Sequence, residues 1–263
     1  MLSVLTGAIR IRHIHGEIDR RAFGIFDACN GIGAHEIVIE TPDHFKDFPE
    51  LSDHEMFQVI NKYVGRMTDL SRDKRFEYVL IFKNYGAAAG ASLEHAHSQI
   101  IALPMVPKYV AESIEGSEQH YKREGRCIYC DMITQEEQDK SRIIVENEDF
   151  ICFASYVSRF SFESWIVPRS HQANFGDMHD GQKNNLGKIL KDILRRNKIC
   201  LGDHSYNFFI HTVPIKYKHP ENYHWHIEII PKLTNVAGFE WGTGFYVLLT
   251  DPADAAKYLR EAA

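Results

Sequence analysis

Histidines at alternating positions are the first chemical signal in this chain. In the strand-like stretch EHAHSQIIAL, residues 94–103, His95, His97 and Gln99 fall two apart. On a strand all three side chains leave one face, while Ala96 and Ser98 leave the other. Such a face is costly to bury without hydrogen-bond partners. Immediately upstream, FKNYGAAAGAS places Gly86, Gly90 and a run of alanines where a backbone can pass close to a ligand, with Asn84 and Ser92 as hydrogen-bond donors. That composition suits a phosphate cradle, although it matches neither the P-loop nor a dinucleotide-binding glycine motif. Alone, a His-x-His pair reads as two hydrogen-bonded core histidines; the small-residue run beside it turns the reading toward phosphate chemistry.

A second signal is Cys127-x-x-Cys130, with His171 and His224 further along. Two thiolates and two imidazoles satisfy tetrahedral zinc and close all four positions, which marks a structural rather than a catalytic metal. A redox pair is the other reading of a Cys-x-x-Cys, but the neighbouring sequence lacks the βα unit expected of one. Cys29, Cys152 and Cys200 are expected as buried thiols.

The elements that must position these residues occur twice. EIVIETPDHFKDFPEL from Glu36 and SWIVPRSHQANFGDM from Ser164 each give a β-type run, a proline turn, a His, a Phe and a polar helix start. Each copy then reaches a β-rich run, EYVLIF or YNFFIH, and a His-x-His strand. His44 to His95 is 51 residues and His171 to His224 is 53, with the copies offset by 127 and 129 residues at these histidines. The spacing predicts a duplication, with a first half over 1–110 and a second over 111–263. Each half is expected as a small antiparallel sheet with a helix packed on it, near 51–70 and 179–197. Met56, Val59, Ile60, Tyr63 and Val64 form the apolar stripe of the first helix. Residues 106–125 are expected as a helical crossover, and Asp251-Pro252 as the start of a last helix.

The chain has 263 residues, enough for one large domain or two sharing an interface. Its net charge of -6 gives no footprint for a nucleic acid polymer or an anionic membrane, so any phosphate it handles is expected to be a small ligand. No window approaches the apolar length of a membrane span, and the sparse, odd cysteine count argues against a secreted disulfide framework. The expected location is the cytoplasm.

FKNYGAAAGASLEHAHSQ resembles the active-site segment of the galactose-1-phosphate uridylyltransferases, a branch of the histidine-triad superfamily. The likeness extends through TPDHFKDFPEL, CIYC and GFEWGTGFYV, and so over nearly the whole chain. Ser98-Gln99 followed by ALPMVP is closer to the branch that includes plant ADP-glucose phosphorylase. The resemblance implies an α+β fold made of a tandem histidine-triad (HIT-like) unit. It implies that His97 attacks the α-phosphorus of a nucleotide sugar and that Gln99 donates its amide to a non-bridging oxygen. Asn84, Gly90 and Ser92 would hold or order the phosphate loop, and Phe239, Glu240, Trp241, Gly242, Thr243 and Gly244 would face the sugar. Alone, that last segment reads as a glycine-rich hairpin with core aromatics. The resemblance also groups Cys127, Cys130, His171 and His224 around Zn2+ and assigns His44 and His95 to a first metal site.

That first site departs from the family pattern, because the cysteine pair expected one repeat before Cys127 falls at or before residue 1. The chain is therefore expected to begin inside the first copy, with His13 or His15 as a substitute ligand or as part of a solvated turn. The implied activity is transfer of UMP from UDP-glucose to galactose 1-phosphate through a nucleotidyl-histidine. ADP-glucose phosphorylase activity is the near alternative, and a non-catalytic, zinc-stabilised nucleotide-binding protein is the alternative of another class. The implied partners are a nucleotide sugar with a sugar 1-phosphate or phosphate, and a second copy in a homodimer.

Overall fold

The computed structural model describes residues 4–6 and 16–262. The first half comprises β1 (Val4–Thr6), a hairpin of β2 (Arg21–Phe23) and β3 (Phe26–Ala28), β4 (Ala34–Ile39), helix α1 (Asp53–Leu70), β5 (Tyr78–Tyr85) and β6 (His97–Leu103). Helices α2 (Lys108–Glu124) and α3 (Ile128–Asp139) cross to the second half. There β7 (Ile143–Glu146), β8 (Phe150–Ala154), β9 (Ser164–Pro168), α4 (Asp180–Leu201), β10 (Tyr206–His211) and β11 (His226–Pro231) precede α5 (Gly238–Thr243) and α6 (Pro252–Glu261).

Local sequence explains where the long helices begin. Ser52 caps α1 by accepting the Glu55 amide, while the Glu55 carboxylate accepts the Ser52 amide at 2.7 Å. The predicted stripe of α1 is buried, and Met67 and Leu70 extend it. Asp251 caps α6 through the Ala253 amide, with Pro252 in the first turn.

The expected two small sheets are instead one. Nine strands run in the order β1-β4-β6-β5-β10-β11-β9-β8-β7, all pairs antiparallel. The order β4-β6-β5 is mirrored by β10-β11-β9, so the two repeats meet where β5 pairs with β10, from Tyr85↔Tyr206 to Ile81↔Ile210. Left apart, each half would expose a strand edge with unpaired backbone groups; joining them removes both edges. Helices α1 and α4 pack together over one face of the joined sheet. Gly187 permits their close approach, since a Cβ there would stand 3.1 Å from Met56 Cβ.

Three further details differ from expectation. The first His-x-His strand starts at His97 rather than at Glu94, because residues 94–96 complete the turn out of the small-residue loop. GFEWGT is a short helix, not a hairpin, and Phe239 and Trp241 on it are exposed. Of the three isolated thiols only Cys152 is buried; Cys29 and Cys200 are half-buried. Among the described residues no helix is long and apolar enough to cross a membrane.

Candidate active site

His97 sits at the start of β6, between Ile39 of β4 on one side and the end of β5 on the other. Its ring is buried, and its Nδ1 lies 2.8 Å from the carbonyl oxygen of His95. A carbonyl only accepts, so Nδ1 carries the proton and Nε2 keeps its lone pair. Burial pushes the His97 pKa down, the bond to the His95 carbonyl opposes it, and the nearby Lys83 charge adds to the lowering, so the net shift is downward. The ring is thus held neutral and in the tautomer that a nitrogen nucleophile needs.

A cavity of about 560 Å³ opens beside it, bordered by His44, His95, His97, Asn84, Gly86 and Ser92 among others. The small-residue loop forms one wall. Gly86 (φ 78°) and Gly90 (φ 84°) bracket a 3-10 turn over Ala87–Ala89. A Cβ on Gly86 would lie 2.2 Å from Ser205 Oγ and 3.2 Å from Ser205 Cα, so the loop is pressed against the second half of the chain. Gly90 leaves open the space 3.8 Å from Asn84 Nδ2.

Gln99 lies on the same strand face as His97 but does not border this cavity. Its Oε1 is 2.8 Å from Nε2 of His35, a β4 residue that sequence reasoning did not single out. With Nε2–H as the donor, His35 orients the Gln99 amide and leaves its own buried Nδ1 without a partner. Helix α5 does not border the cavity of its own chain.

Below the strand lies a charged group that was also missed. Lys83, buried among core residues, donates to Glu40 at 2.7 Å and to the His97 carbonyl at 3.2 Å. Glu40 also accepts from Ser98, which in turn contacts the Tyr63 hydroxyl. Burial raises the Glu40 pKa against the lowering effect of Lys83. The available signal was an inward-facing lysine in the apolar run EYVLIFK, which demands a buried partner.

Cys127, Cys130, His171 and His224 converge, with their ligand atoms within 4.8 Å of one another. Cys130 Sγ is 3.4 Å from His171 Nδ1 and 3.8 Å from His224 Nδ1. Donors around a tetrahedral zinc stand about 3.6 Å apart for a sulfur–nitrogen edge, so the group fits such an ion. His171 Nε2 donates to the Pro220 carbonyl at 3.0 Å, which frees Nδ1 as a ligand. A hydrogen bond from Cys130 pulls the Cys127 thiol down to about 4, favouring a thiolate there, while that same pairing raises Cys130.

His44 and His95 also meet, Nδ1 to Nδ1 at 2.9 Å, with His95 Nε2 donating to the Thr41 carbonyl at 2.7 Å. That bond leaves His95 Nδ1 as acceptor and His44 Nδ1–H as donor. Among the described residues no third ligand joins them, and His13 and His15 lie outside the described residues.

The second repeat places His211, His226 and Glu228 where the first has Asn84, His97 and Gln99. Here the position is closed: Trp165 stacks on His226, and Arg159 pairs with Glu228. Although burial alone would raise the Glu228 pKa, His211, His226 and Arg159 hold it well below the usual carboxylate range.

Residues 33–261 match a family described as a domain of unknown function, DUF4921. ADP-glucose phosphorylase from Arabidopsis thaliana is 34% identical over 235 residues, which cover 89% of this chain and 66% of that protein. Galactose-1-phosphate uridylyltransferase from Thermotoga maritima is 28% identical over 237 residues, covering 87% of this chain and 74% of that one. The chain belongs to the galactose-1-phosphate uridylyltransferase-like family. Its fold agrees with that family's solved structures. A crystal structure of the Arabidopsis thaliana ADP-glucose phosphorylase with bound ADP-glucose superposes with a TM-score of 0.90 at 32% identity, covering all of this chain and 82% of the other. A uridylyltransferase structure gives 0.92 at 25% identity, covering 99% and 84%. This family member therefore spans 66% of the length of one curated relative and 74% of the other.

Proposed function

We infer that this family member is a nucleotidyltransferase that works through a covalent nucleotidyl-His97. The observation that carries the reading is the His97–His95 hydrogen bond, which leaves a neutral Nε2 lone pair on a ring bordering an open cavity. In the first half-reaction the Nε2–P bond forms to the α-phosphorus of a nucleotide hexose, and the P–O bond to the sugar phosphate breaks. Hexose 1-phosphate leaves with that electron pair. Nδ1 keeps its proton on the His95 carbonyl throughout, and that bond strengthens as the ring becomes cationic. In the second half-reaction an acceptor phosphate oxygen attacks phosphorus and the N–P bond breaks. Asn84 and Ser92, which border the cavity, supply neutral donors to phosphoryl oxygens, and such donors stabilise charge without delivering a proton; Gln99, tied to His35 outside the cavity, backs the same strand face.

Transfer of UMP from UDP-glucose to galactose 1-phosphate is one assignment of donor and acceptor. Phosphorolysis of ADP-glucose is the second, favoured by the 34% identity to ADP-glucose phosphorylase and by Ser98-Gln99. Cys127, Cys130, His171 and His224 would hold zinc, which with four protein ligands contributes folding energy rather than chemistry. Incubation with UDP-glucose or ADP-glucose labelled in the α-phosphate tests the reading. Acid-labile label on the parent but not on His97→Gly supports it, and the labelled base and the chasing acceptor name the substrates. Binding of a nucleotide sugar without label would mean a scaffold, not a transferase.

A further inference from the structure

The second half of the chain reaches into the phosphate loop through one side chain. Asn207 on β10 lies directly opposite Asn84 on β5. Its Nδ2 meets two acceptors, the backbone carbonyl of Ala89 at 2.9 Å and Asn84 Oδ1 at 2.8 Å. Because a backbone carbonyl can only accept, the Ala89 contact fixes which end of the Asn207 amide is the NH2. The same NH2 carries its second proton to Asn84, which must therefore present its oxygen. Reversing the Asn84 amide would set NH2 against NH2 and lose the bond. The Ala89 carbonyl thus fixes the orientation of Asn84 through Asn207.

What remains is Asn84 Nδ2, which donates to no protein group among the described residues. It stands 3.8 Å from the space left by the missing Cβ of Gly90, and Asn84 borders the cavity that contains His97. Asn207 also ties the 3-10 turn to β10 through Ala89, so one residue sets both the amide and the loop that carries Ser92.

We propose that Asn207 is a positioning residue for group transfer: it locks Asn84 with its N–H donors available to the phosphoryl group. The first repeat supplies the nucleophile, and the second supplies the orientation of a donor beside it. This rests on the nucleotidyl-transfer reading.

The test is a double-mutant cycle read by the rate of label transfer from the α-phosphate of UDP-glucose and of ADP-glucose. Asn207→Asp keeps the shape but replaces the donor with an oxygen that repels both partners, so Asn84 turns its oxygen toward the phosphate. The expected loss is about tenfold to a hundredfold in labelling rate, with a smaller change in half-saturation. Asn207→Ala, which releases Asn84 without adding a charge, is expected to fall between, and thermal melts establish that each variant is folded. In an Asn84→Ala background Asn207→Asp should cost several-fold less than in the parent, because only its repulsion of the Ala89 carbonyl remains. Equal losses in the two backgrounds, or an unimpaired Asn207→Asp, overturn the role of Asn207. A parent protein that takes no label from either donor overturns the transfer reading itself, and this inference with it.

Discussion

The carbonyl oxygen of His95 accepts the Nδ1–H of His97 at 2.8 Å, so the residue two positions before the proposed nucleophile fixes its tautomer. Burial acts on the same ring by lowering its pKa below the ordinary value of 6.5. Protonation at Nε2 removes the lone pair, so labelling is expected to fall as pH drops through the His97 pKa. The acid limb should have its midpoint below 6.5, measured by rapid-quench labelling across pH 4.5–8. A midpoint above that value would mean the ring is charged more easily than its burial allows.

Metal content should be about one zinc per chain after gel filtration, because Cys127, Cys130, His171 and His224 offer four converging ligands, His44 and His95 only two, and the His211–His226–Glu228 group is already occupied by Trp165 and Arg159. Cys127→Ser is expected to lower Tm by at least about 5 °C while leaving labelling per folded molecule nearly intact. A second equivalent of zinc that is lost in His44→Ala would show that further ligands complete the His44–His95 pair, and one that persists would place it at His211, His226 and Glu228.

Gly86→Ala combines a left-handed φ with a Cβ 3.0 Å from Ser205 Cβ and 3.2 Å from its Cα. Rotating the serine hydroxyl away does not relieve those contacts. A loss of about 1–3 kcal/mol in urea unfolding is expected, together with slower labelling; a neutral substitution would show that the loop is not held against β10.

Lys83→Met leaves Glu40 buried without its cation, which should cost about 3–5 kcal/mol. Adding Glu40→Gln removes the stranded carboxylate and should recover part of that loss, as denaturant titration of the single and double variants will show. If the two losses simply add, the pair is not coupled as its 2.7 Å contact implies.

Helix α5 presents Trp241 at 79% exposure and Phe239 at 54%, with Phe245 exposed just beyond, and it lies outside the cavity of its own chain. A homodimer in which this segment meets the partner's site is therefore expected. Light scattering near 30 kDa at micromolar concentration, with full labelling activity, would sink that expectation.

The sequence by itself determined what depends on local period and residue type. The stripe from Met56 to Val64, the capping at Ser52 and Asp251, and the two His-x-His repeats are patterns within one element or between copies of it. The residue types and spacing of Cys127, Cys130, His171 and His224 likewise define a donor set, and their ligand atoms converge in the fold. Only tertiary structure decided which strands meet across the repeat, because register between distant strands leaves no period in either one. That register joined the halves into one sheet, set Asn207 against Asn84 from 123 residues away, and brought His35 to Gln99 across 64. It also put Lys83 beneath the His97 carbonyl. A lysine in an apolar strand announces that a partner exists, but which carboxylate answers it depends on where the folded chain brings the two together.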